Sequence, residues 1–367
     1  MAKRLPLAKT SLVALAIITS LVLQAPTYYF PIFFKNWPPP LYSTSHYIQN
    51  GDPSKMWTLG CQLGTRDAST SGTQDSLVIL DFGKMWVLDG IYGVKIFSDP
   101  TNGYFRQFLS FAQIEDRVKW YAQGYWDCSG TDHSSHVTIG IGTTNYDSFN
   151  QTNVDQNNLR GMAEDFGRNW AGMVNRTNGW AVSSGFSQQI LFTGAIDIEW
   201  GQDSDGVYRW NTPYVTRGWA DAFDGNDNGT NVYFNYGACI GCPTSPSLSW
   251  KYNSVMPWTQ ADVWYVSWGS QPAFALPEIY RNDGFLARQW AAVSKYGGLY
   301  LGSRIVFSGA MTQMQACQQR RASDPSCDSL DNTPAEGWGQ LVDAVNADAF
   351  TAQPLPQYST DIKWQFK

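Results

Sequence analysis

The chain has 367 residues, a formal net charge of −6, and equal 15% shares of charged and aromatic residues. No Lys/Arg-rich run follows the first few positions, so the charge pattern argues against a nucleic-acid partner. The length suits two average domains or one α/β barrel with a leader and loops. The 17 Trp and 19 Tyr supply a large core, with rings to spare for stacking on the apolar faces of sugars.

At the N-terminus, Lys3, Arg4 and Lys9 precede an uncharged apolar run from Ser11 to Ala25, the pattern of an export signal. A cut after Ala25 has Leu23 and Ala25 as suitable neighbours, but Pro26 directly after it opposes cleavage. The uncharged stretch continues to Phe34, so residues 11–34 can also span a bilayer as an uncleaved signal-anchor and associate the protein with a membrane. Residues 1–34 therefore predict a signal peptide or a signal-anchor, and in both cases an extracellular or cell-surface protein. Residues 35–75 are rich in Pro, Ser and Gly, include Pro38-Pro-Pro40, and read as a linker or irregular cap.

From residue 76 to 367 the pattern alternates. Strands are predicted at Ser76–Phe82, Gly93–Ser98, His136–Thr143, Ile190–Glu199, Asn231–Tyr236, Asp262–Trp268, Arg304–Ser308 and, more weakly patterned, Thr360–Phe366. Helices are predicted at Ile114–Tyr125, Leu159–Ser183, Pro213–Phe223, Pro277–Tyr296 and Pro334–Ala347, with Thr212-Pro213 and Thr333-Pro334 as cap-plus-proline starts. Strands alternating with helices imply βαβ units, and seven or eight of them within about 290 residues predict a (β/α)8 TIM-type barrel. A doubly wound open sheet is the alternative; no Gly-rich dinucleotide fingerprint or P-loop follows any strand.

The cysteines agree with export. All six, Cys61, Cys128, Cys239, Cys242, Cys317 and Cys327, follow the leader, and six allow fifteen pairings. Cys239-Ile-Gly-Cys242 lies in a Gly/Pro loop, and the chain has three His and no second Cys-x-x-Cys. A local disulfide therefore fits better than zinc, with Cys317–Cys327 a second short loop and Cys61–Cys128 the remainder.

Catalytic groups of such a barrel come from the C-terminal ends of its strands. Those ends carry Asp81, Asn145 and Tyr146, Asp197-Ile-Glu199-Trp200, Asn235 and Tyr236, Trp268, and Gln313. Asp197 and Glu199 are two apart on one strand and so share a face. Carboxylates that close push their pKa values apart, which is how a general acid is made at neutral pH. For Asp81 a turn cap is the structural alternative, and any single Asn, Gln or aromatic at these ends can be packing.

An Asp ending the first predicted strand and an Asp-x-Glu ending the fourth resemble the glycoside hydrolase family 25 lysozymes; family 18 chitinases carry a similar fourth-strand Asp-x-Glu. The resemblance covers the barrel in outline and only Asp81, Asp197 and Glu199 among motif residues. The chain departs from the chitinase pattern at Phe192 and Ala195, where further acids would stand. It also has no carboxylate in Ser308-Gly-Ala-Met-Thr-Gln313, where another large clan of barrel glycosidases keeps a nucleophile. The resemblance implies a polysaccharide or glycan substrate containing N-acetylhexosamine. It implies Glu199 as acid, Asp197 as helper of a substrate-assisted step, and Asp81 as stabiliser. Trp200, Trp268 and Tyr236 are the candidate stacking platforms, with Asn235, Asn145, Tyr146 and Gln313 as further substrate contacts. A non-catalytic, surface-anchored carbohydrate-binding or structural barrel is the competing expectation.

No cofactor is predicted. The loop Asp224-Gly-Asn226-Asp-Asn228-Gly229 fits the first half of a calcium loop at Asp224, Asn226 and Asn228, but Asn235 stands where the closing Glu belongs, so a solvated turn is the simpler reading. Asn150, Asn175 and Asn228 begin N-x-Thr sequons.

Overall fold

The computed structural model describes residues 39–98, 105–146, 148–149, 155–200, 210–239, 241–252 and 256–365. The leader and the membrane association through residues 11–34 lie outside them. Leu77-Val-Ile-Leu80 is buried on every residue, the signature of a parallel strand covered on both faces. This run belongs to β2 (Asp75–Leu88), and seven further parallel strands join it: β1 (Ser43–Tyr47), β5 (His136–Thr144), β6 (Ile190–Asp197), β7 (Tyr233–Asn235), β8 (Ala273–Ala275), β9 (Gly309–Thr312) and β10 (Tyr358–Trp364). Their order, β8-β7-β6-β5-β2-β1-β10-β9, is nearly closed by parallel bridges from Ala275 to Phe307 and from Glu278 to Met311. The fold is a (β/α)8 TIM-type barrel.

Its outer helices are α1 (Pro53–Ser69), α2 (Phe111–Cys128), α3 (Gln156–Ser183), α4 (Pro213–Asp224), α5 (Gln260–Trp264), α6 (Phe285–Tyr296), α7 (Met314–Arg320) and α8 (Pro334–Asn346). Side-chain caps start most of them: Asp52 before Pro53, the reciprocal Ser110/Gln113 and Thr333/Glu336 boxes, Asp155, and Thr212 before Pro213. Among the described residues no helix is long and apolar enough to cross a membrane. The three expected disulfides are present: Cys61–Cys128 joining α1 to α2, Cys239–Cys242 after β7, and Cys317–Cys327 beside α7.

Several expectations are corrected. Residues 35–75, read as linker or cap, contain β1 and α1, so the barrel starts before residue 76. The β1 sequence Ser-Thr-Ser-His-Tyr lacks apolar alternation because its buried side chains bond inside the barrel. The Ser45 hydroxyl lies 2.7 Å from that of Thr360 and accepts the Ile79 amide at 2.8 Å. Asp262–Trp268 is not a strand: α5 runs on through a π-type turn at Tyr265–Gly269, and the sixth barrel strand is the short Ala273–Ala275. The seventh strand lies at Gly309–Thr312 rather than Arg304–Ser308. Residues 277–284 are a loop, and α6 begins only after Gly284, whose φ of +69° breaks the helix that Pro277 suggested. Finally, β3 (Ile91–Phe97) exists but pairs antiparallel with the end of β2 and with β4 (Phe105–Ser110), forming a hairpin outside the barrel ring.

Close helix packing against α1 requires glycine. A Cβ on Gly124 of α2 would stand 2.0 Å from the Trp57 carbonyl oxygen, and one on Gly60 of α1 1.9 Å from that of Tyr121. Gly124→Ala should cost roughly 3 kcal/mol, because backbone cannot yield as a side chain would. Gly179→Ala in α3, where nothing lies within 4 Å, should be neutral or gain up to about 1 kcal/mol. Urea unfolding of the two variants checks this, and equal effects would contradict it.

Candidate active site

The strand ends bring four carboxylates to one end of the barrel. After Asp81 a bulge before Lys84, with Gly83 at φ +87°, folds the Gly83 amide back onto the Asp81 carboxylate at 2.8 Å. Asp197 ends β6, and Glu199 follows two residues later, just beyond the strand. The Glu199 amide donates to the Asn145 side-chain oxygen at 2.7 Å, while the Asn145 amide donates to the Asp197 carbonyl at 3.1 Å. Glu278, two residues beyond Leu276 in the loop after β8, completes the group and accepts the Tyr280 hydroxyl at 2.8 Å. Oxygens of Asp197, Glu199 and Glu278 lie within 4.8 Å of one another.

Tyrosines surround them. Gly237 packs so closely on the Ile198 backbone that a Cβ would stand 2.3 Å from the Ile198 oxygen, which draws Tyr236 in beside the Asp-x-Glu. Gly142 leaves room for the Tyr236 hydroxyl, which lies beside Asp81 and donates to the Thr143 carbonyl at 3.1 Å. Tyr47 of β1 packs on Trp364 and edge-on to Phe97, with ring centroids 4.5 and 5.1 Å away. The charges of Glu278, Asp197 and Asp81 reach its hydroxyl.

Electrostatics follow from burial without counter-charge. Asp81 is fully buried, and burial lifts it to about 7. Burial also lifts Glu199 to about 7. Asp197 stands well above the usual carboxylate range through burial first, then the charges of Glu199, Glu278 and Asp81. Glu278, 6% exposed, is raised by burial and by Glu199, while the Tyr280 hydroxyl pulls it back. Among the described residues no Lys or Arg is hydrogen-bonded or ion-paired with any of the four. Arg217 pairs with Asp262 at 2.9 Å.

The other predicted site residues divide by position. Asn145 is at the site as the holder of Glu199, and Tyr146, 58% exposed, stands at the rim beside it. Tyr236 is at the site through its hydroxyl, but its ring is buried and offers no stacking face. Trp200 is 4% exposed and packs on Trp258 at 5.1 Å, so it is core rather than platform. Trp268 lies in the π-type turn that precedes β8, toward the opposite end of the barrel, with its indole N–H on the Ser303 hydroxyl at 2.6 Å. Asn235 is fully buried, donating to the Ser267 hydroxyl at 2.8 Å and accepting the Gly237 amide at 3.1 Å. Gln313 accepts from Arg320 at 3.2 Å. Another buried acid, Asp361 of β10, is consumed structurally: it takes the Thr312 hydroxyl and the Met314 and Gln315 amides at the start of α7.

Glu278, Tyr280 and Tyr47 were not predicted. Pro277-Glu-Ile-Tyr280 looked like the first turn of a helix; the signal that could have found it is the short apolar Ala273-Phe-Ala-Leu276 run just before an acid. The Asp224, Asn226, Asn228 loop follows the C-terminus of α4 and precedes β7, so it lies at the barrel end opposite the acids. There the Asn226 side-chain amide donates to the Ala222 carbonyl at 2.7 Å, and Asp227, rather than Asn228, turns inward to accept the Gly229 amide. Asn175 is likewise engaged, donating to the Asn226 carbonyl at 3.0 Å.

The sign of the pH dependence can be worked out for Asp81. With its folded pKa raised to about 7, the native state keeps a proton that the unfolded chain releases near pH 4, so stability falls as pH rises from about 4 through 7. Asp81→Asn removes that penalty. Relative to wild type it should gain about 2–3 kcal/mol more at pH 8 than at pH 5, at roughly 1.4 kcal/mol per pH unit. Urea unfolding at the two pH values measures this, and a pH-independent difference would contradict it.

No family model and no curated protein matches this chain.

Proposed function

We propose that this barrel is a glycoside hydrolase acting on a polysaccharide that contains N-acetylhexosamine or a related sugar. One observation carries the reading: the Asp197, Glu199 and Glu278 oxygens converge within 4.8 Å at the strand ends, next to a buried Asp81. Raised pKa values at strand-end carboxylates are what acid catalysis near neutrality requires. Glu199, lifted to about 7, protonates the glycosidic oxygen. Asp197 accepts the N–H of the substrate's acetamido group, whose carbonyl oxygen attacks C1 as the glycosidic bond breaks. Glu199, now a carboxylate, deprotonates the water that opens the cyclic intermediate, and Asp81 sustains the field around Asp197. Tyr146 is the exposed ring for the sugar to pack on.

A second mechanism is favoured by Glu278, the carboxylate the sequence did not disclose. One acid of the trio can act as direct nucleophile while another serves as acid and base. Oxygens within 4.8 Å stand nearer the ~5–5.5 Å of retaining enzymes than the ~6.5–9.5 Å of inverting ones. Both mechanisms retain the anomeric configuration. The three disulfides support an oxidising compartment and so a location outside the cytoplasm, at the cell surface or beyond.

Turnover of a panel of N-acetylhexosamine polysaccharides by the purified chain tests the reading. Glu199→Gln should lower kcat by on the order of 10³-fold, and proton NMR of the first product should show retention. Tyr146→Ala should raise KM with little change in kcat. Glu278→Gln separates the mechanisms: a loss as large as that of Glu199→Gln makes Glu278 a reacting group, a small loss leaves the acetamido route. Binding without turnover in wild type would overturn the proposal in favour of a non-catalytic glycan-binding barrel.

A further inference from the structure

The strand-end acids also satisfy the geometry of a hard-cation site. Opposite ligands of one calcium ion stand about 4.8 Å apart, twice a bond of ~2.4 Å, and calcium's flexible sphere accepts fixed side chains that magnesium's near-ideal octahedron does not. The Asp197, Glu199 and Glu278 oxygens, within 4.8 Å of one another, therefore fit inside a calcium coordination sphere as they lie. The donor set is all oxygen, without His or Cys, which selects hard ions over zinc or copper.

An independent observation points to a ligand. Asp81 is fully buried, its Oδ1 takes the Gly83 amide at 2.8 Å, and its Oδ2 has no hydrogen-bond partner. The Tyr236 hydroxyl lies close enough to stabilise the Asp81 charge, but its well-formed hydrogen bond goes to the Thr143 carbonyl at 3.1 Å. The Asp81 charge acts on both Asp197 and Glu278. Asp197 Oδ1 is likewise buried without a partner. Arg320, whose charge reaches Tyr47, is held by Gln313 at 3.2 Å and Asp324 at 3.6 Å.

We propose that the barrel mouth binds one calcium ion, with Asp197, Glu199 and Glu278 as direct ligands and Asp81 supporting it from within the barrel. Binding stands on this geometry alone. Its consequence rests on the proposed hydrolysis: an ion held by Glu199 and Asp197 occupies both reacting carboxylates, so calcium is a reversible inhibitor that must leave before substrate is cleaved.

The test uses the full chain stripped with EDTA and titrated with calcium chloride in a calorimeter. One ion per chain is expected, with binding weakened more than tenfold by Asp197→Asn and by Glu278→Gln and unchanged by Asp224→Asn at the opposite end. Magnesium should bind more weakly than calcium. Amides relieve like-charge repulsion, so both site variants should melt at or above the wild-type temperature. Should either fail to fold, terbium luminescence in wild type decides, because Tyr47, Tyr236 and Tyr280 beside the site should sensitise the ion and calcium should quench the signal by displacing it. No binding at millimolar calcium, no sensitised terbium, or undiminished binding in folded site variants would overturn the proposal. Hydrolysis is assayed separately in EDTA. Turnover there without calcium binding removes this inference alone, whereas calcium binding without turnover removes the hydrolase reading and leaves the ion site.

Discussion

Four acids gathered at one barrel mouth, with no Lys or Arg paired to them among the described residues, are the constraint around which this molecule is arranged. A buried ionised carboxylate is costly, and burial raises the pKa of Asp81, Asp197, Glu199 and Glu278 alike. The barrel imposes their proximity: parallel strands aim their C-terminal ends at one mouth, and the cap residues and helices fix those strands from outside. Nearly every polar group around the mouth has a positioning task. Asn145 fixes the Glu199 backbone, Tyr280 steadies Glu278, and the missing Cβ atoms of Gly142 and Gly237 let Tyr236 reach Asp81.

Asp361 shows the contrast. It too is a buried strand-end acid, yet three donors at the start of α7 surround it. The same residue type at an equivalent place in the fold is thus fully bonded in one strand and sparsely bonded in another, and what separates them is the supply of hydrogen-bond donors. Among the described residues the Gly83 amide is bonded to Asp81 Oδ1, while Asp81 Oδ2 and Asp197 Oδ1 have no well-formed hydrogen bond.

Much of this was legible in the chain, for physical reasons. Runs such as Leu77–Leu80 are apolar because both faces are covered, and the Asp-x-Glu stands out at the end of a similar strand. Long amphipathic helices with strong caps, such as α3 and α8, announced themselves. What was not legible had equally definite causes. The first strand is polar inside, so apolar periodicity passed over it. The strand before Glu278 is three residues long, too short for any periodic signal, and Pro277 imitated a helix start. Trp200 and Trp268 looked like sugar platforms because composition cannot distinguish a ring facing a cleft from one filling the core.

The protonation state of the cluster decides the account most directly. Carboxyl carbon chemical shifts of Asp81, Asp197, Glu199 and Glu278, followed by NMR from pH 4 to 9 in the metal-free protein, report it residue by residue. The account predicts that Asp81 and Glu199 titrate near pH 7 and that Asp197 and Glu278 titrate well above the usual carboxylate range. Four carboxyl groups all ionised by pH 5 would contradict it, removing at once the acid, the stability penalty and the reason for the arrangement.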